Sequence, residues 1–579
     1  MTDKLSKKHK LIQNFIFAVL MIMAAVFLFW KCRYGFANKD ESLYLAIPYR
    51  LWQGDGLFVN EWNLSAFSSF LLMPFVSVYM AIAGTTEGIL LNFRYIFTAV
   101  QGLCAVFMYF KLKRYNWVGA VAAALVFFIY TPFGIMALSY NSVGIQCVAV
   151  ASVLLLTNEK GAKLPYIAAG VLFAAAVLCC PFLVAVFALY SVLVLINTVK
   201  HNCFTLDILD KKCWLWVTAG ISALAVAFLA FVLSRASITE ILTGLQWLLN
   251  DPQHESQAMT EVIAAYFKEI WQCNDWAPVV YAGYMALPVV RVFTNGKKIP
   301  DALYFCAGAL LAAMMMAPFV TWQMYINRVI FPVNIFGAFC VVLSDSKVVK
   351  RLFKVVWIPG MLYGICVHMA STEGFLNIAS VSLVSLMASL VIVVITGVEI
   401  IEKSKSGFLN LLTLCAVAAV LVMQIGATAY TRYESVFWES GWFGAGMPAQ
   451  TQTLAKGPEK GILATVEKEE MYGAFVDDVD ALVEKHSPES ILYISQNTWL
   501  YLVSEDVRVA SFSAWLPGVD EEQMKHTIAR LESYFDMDSE RLPDVIYAEN
   551  QYHKLADAFA AKLGYTPQQT ANGNFIYTR

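Results

Sequence analysis

The sequence predicts an α-helical polytopic membrane protein that ends in a small α/β domain. Of its 579 residues, 59% are hydrophobic and only 15% are charged, whereas soluble chains average about 45–50% apolar and about 25% charged residues. The apolar residues fall in blocks of roughly 17–25, the length that a helix needs to cross a bilayer. After about residue 430 these blocks stop, and the composition becomes that of a soluble domain.

About thirteen apolar blocks are predicted to span the membrane. They cover residues 11–30, 92–110, 117–136, 143–157, 165–180, 182–198, 213–234, 276–293, 302–320, 328–343, 355–370, 375–399 and 408–428. The first block lacks the small residues of a signal-peptide cleavage site, so we expect it to be retained. With the basic N-terminus inside the cytoplasm, every inward loop carries lysine or arginine, as the positive-inside rule requires. An odd number of spans then places the C-terminal part outside.

Two apolar segments need separate treatment. Block 66–83 is left out of the count, because including it would place the basic loop 111–114 outside; we expect it to lie on the outer surface or dip into it. Pro181 divides blocks 165–180 and 182–198, since proline interrupts a helix, which predicts two short helices that meet near the outer face. The outward loops are long at about 31–91 and 235–275.

Residues 431–579 are predicted to form an extracytoplasmic α/β domain, separate from a membrane part at 1–430. Short strand-like runs alternate with helical patterns there, which is typical of that class. The expected strands are 461–465, 491–495, 507–512, 544–548 and 574–577, and the expected helices are 467–486, 520–535 and 551–563. The segment contains no glycine-rich phosphate loop, nucleophile elbow or metal motif.

The first outward loop begins with two acidic residues, Asp40 and Glu41, about ten residues beyond the first span. A carboxylate half-shielded from water near the lipid headgroups suits a general base or a metal ligand. The same pair also opens a helix that is predicted from Glu41 to Trp52, so an ordinary helix cap explains it as well. Asp55 and Glu61 add two further acids to this loop.

Arginines stand at the outer ends of several spans and on the first loop. Arg94 opens the second span, Arg235 closes the seventh, Arg328 precedes the tenth, and Arg50 lies on the loop helix. An arginine inside the bilayer costs roughly 2.5–3.5 kcal/mol on insertion scales, so such residues tend to be paired or functional. The alternative for each is a side chain that extends its charge to the interface.

Three short segments of this loop resemble a known superfamily: Lys39-Asp40-Glu41-Ser42-Leu43-Tyr44, Gly54-Asp55 and Glu61-Trp62-Asn63. The loop is similar to the first extracytoplasmic loop of GT-C glycosyltransferases, above all the aminoarabinose transferase and protein O-mannosyltransferase branch. The likeness covers about residues 11–200 and includes the span count and the Cys180-Pro181 hairpin. It implies a GT-C-like fold in the plasma (inner) membrane, with the N-terminus in the cytoplasm.

The resemblance also implies an activity. A sugar would pass from a polyprenyl-phosphate donor to a cell-surface lipid, glycan or protein acceptor on the outer face, with inversion at the anomeric carbon. Asp40 would take the proton of the acceptor hydroxyl. The arginines would neutralise the leaving lipid phosphate near a low-dielectric boundary. Nucleic acid is not an expected partner. The residues expected to contact substrate are Glu41, Tyr44, Arg50, Glu61, Arg94, Tyr140, Asn141, Arg235 and Arg328.

Two positions depart from the superfamily pattern. Trp62-Asn63 stand where Lys-Pro follows the later acid, and Asn141 stands where relatives often carry an aspartate. A divalent metal, with Glu61 as its candidate ligand, therefore remains open beside metal-independent catalysis. Two other classes of function also remain. A transporter or flippase of lipid or glycan would place ionisable residues in mid-span, whereas here they cluster at span ends; a non-catalytic GT-C-like scaffold would bind a partner through its outer domain.

Overall fold

The computed structural model describes residues 2–37, 39–159, 161–200, 204, 206–249, 259–271, 275–294, 299–321, 329–369, 382–434, 446–512, 520–537 and 541–579. A helix occupies each predicted span. The helices of the membrane part are α1 (Thr2–Lys31), α2 (Lys39–Gln53), α3 (Ser69–Ala83), α4 (Ile89–Leu112), α5 (Trp117–Ile129), α6 (Tyr140–Thr157), α7 (Lys163–Cys179), α8 (Leu183–Val199), α9 (Lys211–Leu233), α10 (Ile238–Leu249), α11 (Met259–Trp271), α12 (Ala277–Phe293), α13 (Asp301–Thr321), α14 (Phe331–Leu343), α15 (Lys347–Leu352), α16 (Ile358–Met369), α17 (Leu383–Lys403) and α18 (Gly407–Glu434).

Length and composition make this an integral membrane protein. Within the described residues, eight helices are long and apolar enough to cross a bilayer, and six shorter helices are also apolar. α15 and α16 are joined by a π-helical turn at Phe353–Trp357 and form one span-length rod. The chain breaks at Cys180-Pro181 between α7 and α8, which confirms the two short helices expected there.

The helix α3 and the segment before it satisfy the same length and hydropathy criterion, at Ala66–Ala83. On this helix Val76 and Met80 are buried in a cluster with α2 and the C-terminal domain. A helix that lies beneath that domain fits the outer surface, and this location stays a prediction.

Close helix contacts hold the membrane part together around α17, which is buried along most of its length against α5 and α14. Small residues permit these approaches, as is usual between membrane helices. At Gly119 of α5, an added Cβ would lie 2.9 Å from Val391 Cα of α17. Between α7 and α9, a Cβ on Gly170 would lie 2.1 Å from the carbonyl oxygen of Val217.

The C-terminal part is an α/β domain, as predicted. Its sheet has the order β4-β3-β5-β7-β6, in which β3 pairs in parallel with β4 and β5, while β7 is antiparallel to both of its neighbours. A separate antiparallel pair, β1-β2, precedes it. The elements are β1 (Gln452–Thr453), β2 (Leu463–Ala464), α19 (Val466–His486), β3 (Ser490–Ile494), β4 (Arg508–Val509), α20 (Glu521–Asp536), β5 (Val545–Ala548), α21 (His553–Leu563), β6 (Thr566–Gln569) and β7 (Phe575–Thr578).

The two faces of this sheet bury different parts of the molecule, because successive side chains of a strand point to opposite sides. Ile491 and Tyr493 of β3 pack in a cluster that includes α19 and residues of α2, α3 and α4. Leu492 and Ile494 pack with α20, α21 and Trp62 of the first loop. The domain therefore shares its apolar core with the first loop and holds α2 in place.

Candidate active site

The helix α2 starts eight residues after α1 ends and carries both acids of the pair in its first turn. Its bounds agree with the helix predicted from Glu41 to Trp52 to within two residues at the start and one at the end. The first turn of a helix has unpaired N–H groups and the positive end of the dipole, which favour a carboxylate. Asp40 is half-buried, and Glu41 is fully buried.

Glu41 forms a closed ion pair with Arg94 of α4. Arg94 Nε donates to Glu41 Oε1 at 2.6 Å, and Nη2 donates to Oε2 at 2.8 Å. The same guanidinium donates to the carbonyl oxygens of Cys32 and Gly35, both at 2.9 Å. Arg94 is 0% exposed. The pair therefore anchors the first turn of α2 to α1 and α4, and it leaves Arg94 poorly placed for the donor phosphate that the sequence analysis assigned to it.

Aromatic and amide groups also gather around the first turn of α2. Residues one turn apart lie on one helix face, so Tyr44 shares a face with Asp40. The ring of Tyr44 meets that of Tyr140 edge to face, with centroids 5.3 Å apart. Asn141 is buried beside Tyr140 at the start of α6, and its Oδ1 accepts no hydrogen bond from the described residues. Three predicted substrate residues thus gather around the Asp40 face of α2.

A small cavity adjoins this turn, between α2, α4 and the loop before α6. Its lining includes Glu41 and Tyr44 from α2, Phe93 from α4, and Met136 and Ala137 from the loop.

The other end of α2 is closed by a second ion network. Arg50 Nε donates to Asp55 Oδ2 at 2.8 Å, and Nη1 lies 3.5 Å from Glu61 Oε2. Nη2 also donates to the carbonyl oxygen of Asn60 at 3.4 Å. Burial disfavours the charge on Arg50, yet the carboxylates of Asp55 and Glu61 raise its pKa above the ordinary value. Arg50 and Glu61, both expected to contact substrate, thus hold the turn after α2 through contacts with each other.

Arg235 also lies at this far end. Its Nη1 donates to the carbonyl oxygens of Leu51 at 2.5 Å and Asp55 at 2.8 Å, and its guanidinium covers the ring of Phe231 at 4.6 Å. Asp40 and Leu51 are separated by eleven residues of helix, or about 16 Å along its axis. This placement favours a role for Arg235 in ending α2 over contact with a phosphate that leaves near Asp40. Arg328 lies outside the described residues.

The described residues do not fit a metal site at Glu61. Its carboxylate lies against Arg50, and no group of three or more His, Cys, Asp or Glu in the described part of the chain is arranged to hold a metal ion. A cation beside Glu61 would have to displace a buried guanidinium. We therefore route no chemical step through a metal.

The sequence pattern did not single out two buried cations, Lys31 and Arg432. Lys31, at the end of α1, is 0% exposed and donates to the carbonyl oxygen of Tyr433 at 2.7 Å. Arg432, near the end of α18, is 4% exposed, and its Nε and Nη1 have no acceptor among the described residues. The charges of Arg94 and Glu41 act on Arg432 across a short distance. Its position at the outer end of the last span was the available signal.

The C-terminal domain closes over the first turn of α2. Lys39 Nζ donates to Gln496 Oε1 at 3.4 Å, and Thr498 Oγ1 donates to the carbonyl oxygen of Lys39 at 2.8 Å. The hydroxyls of Ser42 and Thr498 are 2.7 Å apart. Asp40 therefore lies between the membrane helices and the loop that follows β3, a loop that the sequence analysis did not connect with the site.

No protein-family model and no curated protein matches the chain. Among solved structures, it is similar to the archaeal oligosaccharyltransferase AglB from Archaeoglobus fulgidus in complex with an inhibitory peptide and a dolichol-phosphate; the identity is 13%, the TM-score 0.48, and the match covers 98% of this chain and 74% of that one. It is also similar to ArnT from Cupriavidus metallidurans bound to undecaprenyl phosphate, at 14% identity and a TM-score of 0.43 over 97% of each chain.

Both structures are GT-C glycosyltransferases.

Proposed function

We propose that this chain transfers a sugar from a polyprenyl-phosphate donor to an acceptor on the outer face of the membrane. The observation that carries the proposal is the placement of Asp40. It lies in the first turn of α2 and is half-buried. In the same turn, Glu41 and Tyr44 line a small, mostly apolar cavity, and Lys39 and Ser42 contact the polar loop that follows β3. A lipid-linked donor and a water-borne acceptor group can meet only at such a boundary.

In the proposed reaction the acceptor oxygen attacks the anomeric carbon as its proton moves to Asp40. The bond between that carbon and the phosphate oxygen breaks, and polyprenyl phosphate leaves with the electron pair. A one-step displacement of this kind inverts the anomeric carbon. The closed pair of Glu41 and Arg94 would keep the first turn of α2 fixed, so that the carboxylate of Asp40 stays oriented during proton transfer.

The leaving phosphate needs a cation, and Arg432 with Lys31 fits this role better than Arg94 or Arg235. A buried guanidinium without an acceptor is costly, and a phosphate oxygen would supply that acceptor with a charge-assisted bond. α1 and α18, which carry these two cations, both pack on α5 and expose apolar side chains such as Val26 and Val422. Such surfaces suit the isoprenoid chain of the donor.

The test is the substitution Asp40→Asn, with the chain expressed in its native host. Removal of a general base lowers rates by about 10²–10⁴-fold, so we expect a sugar modification of the envelope that depends on the wild-type chain to disappear. Mass spectrometry of extracted lipids, glycans and envelope proteins measures it. An unchanged modification in cells carrying Asp40→Asn would overturn the assignment of the base.

Two variants control this experiment. Glu521→Gln removes another carboxylate from the first turn of a helix, but that carboxylate is exposed at the start of α20, so the modification should persist. Asp40→Glu keeps a carboxylate at a shifted position and should retain part of the activity. Equal expression of all three variants, checked by immunoblotting, separates catalysis from folding.

A further inference from the structure

The sheet of the C-terminal domain has a topological switch point between β3 and β5, and the space at the carboxyl ends of these two strands is called the crevice below. After β3 the chain passes to β4 on one side, whereas after β5 it passes through α21 to β6 and β7 on the other side. The loops that leave two neighbouring parallel strands therefore diverge. Ligands of open α/β sheets bind at the carboxyl ends of the strands at such a switch point.

A buried carboxylate lies in this crevice. Glu549, directly after β5, is 5% exposed. Its Oε1 accepts hydrogen bonds from the Ser495 hydroxyl and from Asn497 Nδ2, the latter at 2.8 Å, and its Oε2 accepts from Gln551 Nε2 at 2.5 Å. Every one of these donors is neutral, and no cation of the described residues pairs with this carboxylate. A buried charge without a counter-ion makes the crevice electrostatically negative.

Glu549 also fixes the orientation of two amides. A carboxylate only accepts hydrogen bonds, so the NH₂ groups of Asn497 and Gln551 must face it and their carbonyl oxygens must face away. Neither carbonyl oxygen accepts a hydrogen bond from the described residues. Asn497 is partly exposed and Gln551 is exposed. The crevice thus presents two outward acceptors, which bind hydroxyl or ammonium donors and not phosphate.

Aromatic rings flank these acceptors. His553 and Phe575 are stacked with centroids 5.6 Å apart, and the backbone N–H of Asn550 ties this corner to Asn574 Oδ1 at 3.2 Å. Tyr552, the residue before His553, is buried. Its burial, and to a smaller extent the charge of Glu549, raise the pKa of its phenol well above the usual range. A ring face beside a row of amide oxygens is the arrangement that a pyranose needs, since its hydroxyls donate and its apolar face packs on aromatic carbon.

The crevice adjoins the proposed catalytic turn. The loop that carries Asn497 also carries Gln496, which accepts from Lys39, and Thr498, which bonds to both Lys39 and Ser42. Asp40 stands between those two α2 residues. The loop after β3 therefore connects the carboxyl ends of β3 and β5 with the turn that carries Asp40.

We infer that Asn497, Glu549 and Gln551 bind the sugar portion of the acceptor, a neutral or amino sugar, and present its hydroxyl to Asp40. This inference rests on the proposed function for the role of Asp40, but binding of a sugar at this crevice can be measured without any donor. The binding is electrostatically selective, because a phosphorylated or carboxylated sugar would meet the uncompensated charge of Glu549 and carbonyl oxygens that cannot donate.

The experiment uses the full-length chain in detergent and saturation-transfer NMR with three probes: methyl β-glucoside, glucosamine and glucose 6-phosphate. We expect saturable binding of methyl β-glucoside and glucosamine. The affinity for glucose 6-phosphate should be at least tenfold lower. Gln551→Ala removes an exposed amide and should weaken binding about three- to tenfold, the usual loss for one hydrogen bond. Glu549→Gln should weaken glucosamine most, since its ammonium loses the attracting charge.

Gln452→Ala is the matched control, because it removes an exposed amide from β1, which belongs to the separate β1-β2 pair, and it should leave binding unchanged. Three results would overturn the inference. They are unchanged binding in both Gln551→Ala and Glu549→Gln, stronger binding of glucose 6-phosphate than of the other two sugars, and no binding of any probe to the wild-type chain. Sugar binding without Asp40-dependent transfer would contradict only the proposed function. Transfer without sugar binding at the crevice would contradict only this inference.

Discussion

The two ends of α2 carry similar charged residues but place them in different surroundings. At the C-terminal end, Arg50 is surrounded by Asp55, Glu61 and a backbone carbonyl, and every member is buried. At the N-terminal end, Glu41 is paired with Arg94, while Asp40 stays half-buried in a turn whose other residues line a small cavity and contact the C-terminal domain. Acids that look equivalent in the sequence thus divide into structural ones and one that can react.

The largest effect on stability is expected at the closed end. Arg50→Met keeps the length of the side chain but removes the buried cation beside Glu61 and leaves Asp55 with only the exposed Arg508, whose Nη2 lies 3.8 Å from Asp55 Oδ1. Breaking a buried pair in this way costs about 3–5 kcal/mol. The thermal unfolding midpoint of the detergent-solubilised chain should fall clearly. The triple variant Arg50→Met, Asp55→Asn, Glu61→Gln removes the orphaned charges and should recover most of the loss; no recovery would show that the network is not the cause.

A smaller loss is expected at the anchored acid of the open end. Glu41→Gln keeps the shape but removes the carboxylate that is bonded to Arg94, which keeps two carbonyl oxygens and the nearby charge of the buried Glu459; we expect a cost of about 3 kcal/mol. Transfer should also fall, because the first turn of α2 loses its anchor. Adding Arg94→Gln should restore thermal stability without restoring full activity. If Glu41→Gln alone unfolds at the wild-type temperature, the pair does not stabilise this turn.

Arg432 should behave in the opposite way. Since its guanidinium has no acceptor for Nε and Nη1, Arg432→Gln should leave the unfolding midpoint unchanged or raise it, as expected when an unpaired buried charge is removed. Binding of undecaprenyl phosphate, measured by quenching of tryptophan fluorescence in nanodiscs, should weaken about tenfold, the equivalent of about 1.4 kcal/mol. Lower stability together with unchanged lipid binding would contradict a role at the donor phosphate.

The smallest effect concerns the contact between α2 and the outer domain. Ser42→Ala removes one hydroxyl pair with Thr498, which is worth about 1 kcal/mol. Transfer should fall modestly, since the loop after β3 is loosened next to Asp40. Lys460→Ala breaks an exposed ion pair with Glu87 in the same interface and should change neither stability nor transfer measurably. Equal effects of both variants would show that the interface acts as a whole and not through Ser42.

The helices and most strands could be predicted because they rest on local pattern. Apolar length located the helix of every span, and Pro181 located the break between α7 and α8, since both signals are read within one segment. The strand β6 (Thr566–Gln569) was missed because it has no apolar run; its four residues are all exposed and it exists through pairing with β7. Pairing between distant segments leaves little trace in local composition.

The same distinction between local pattern and long-range contacts applies to the candidate site. The sequence by itself determined that acids and arginines gather at the ends of the apolar blocks, because charges are excluded from membrane-spanning segments. It did not decide which arginine meets which acid. Glu41 and Arg94 are 53 residues apart, and Ser495 and Glu549 are 54 apart, so only the packing of α4 against α2 and the pairing of β3 with β5 could bring them together.

The tertiary structure also decided what Asp40 faces. The sequence places this residue at the outer membrane boundary in the first turn of a helix. The folded outer domain adds a polar wall to it, because the sheet that ends in Asn497 and Glu549 buries one of its faces on α2. A long-range apolar contact fixes that wall, and contacts of this kind depend on shape and burial across the whole chain, which no single stretch of sequence contains.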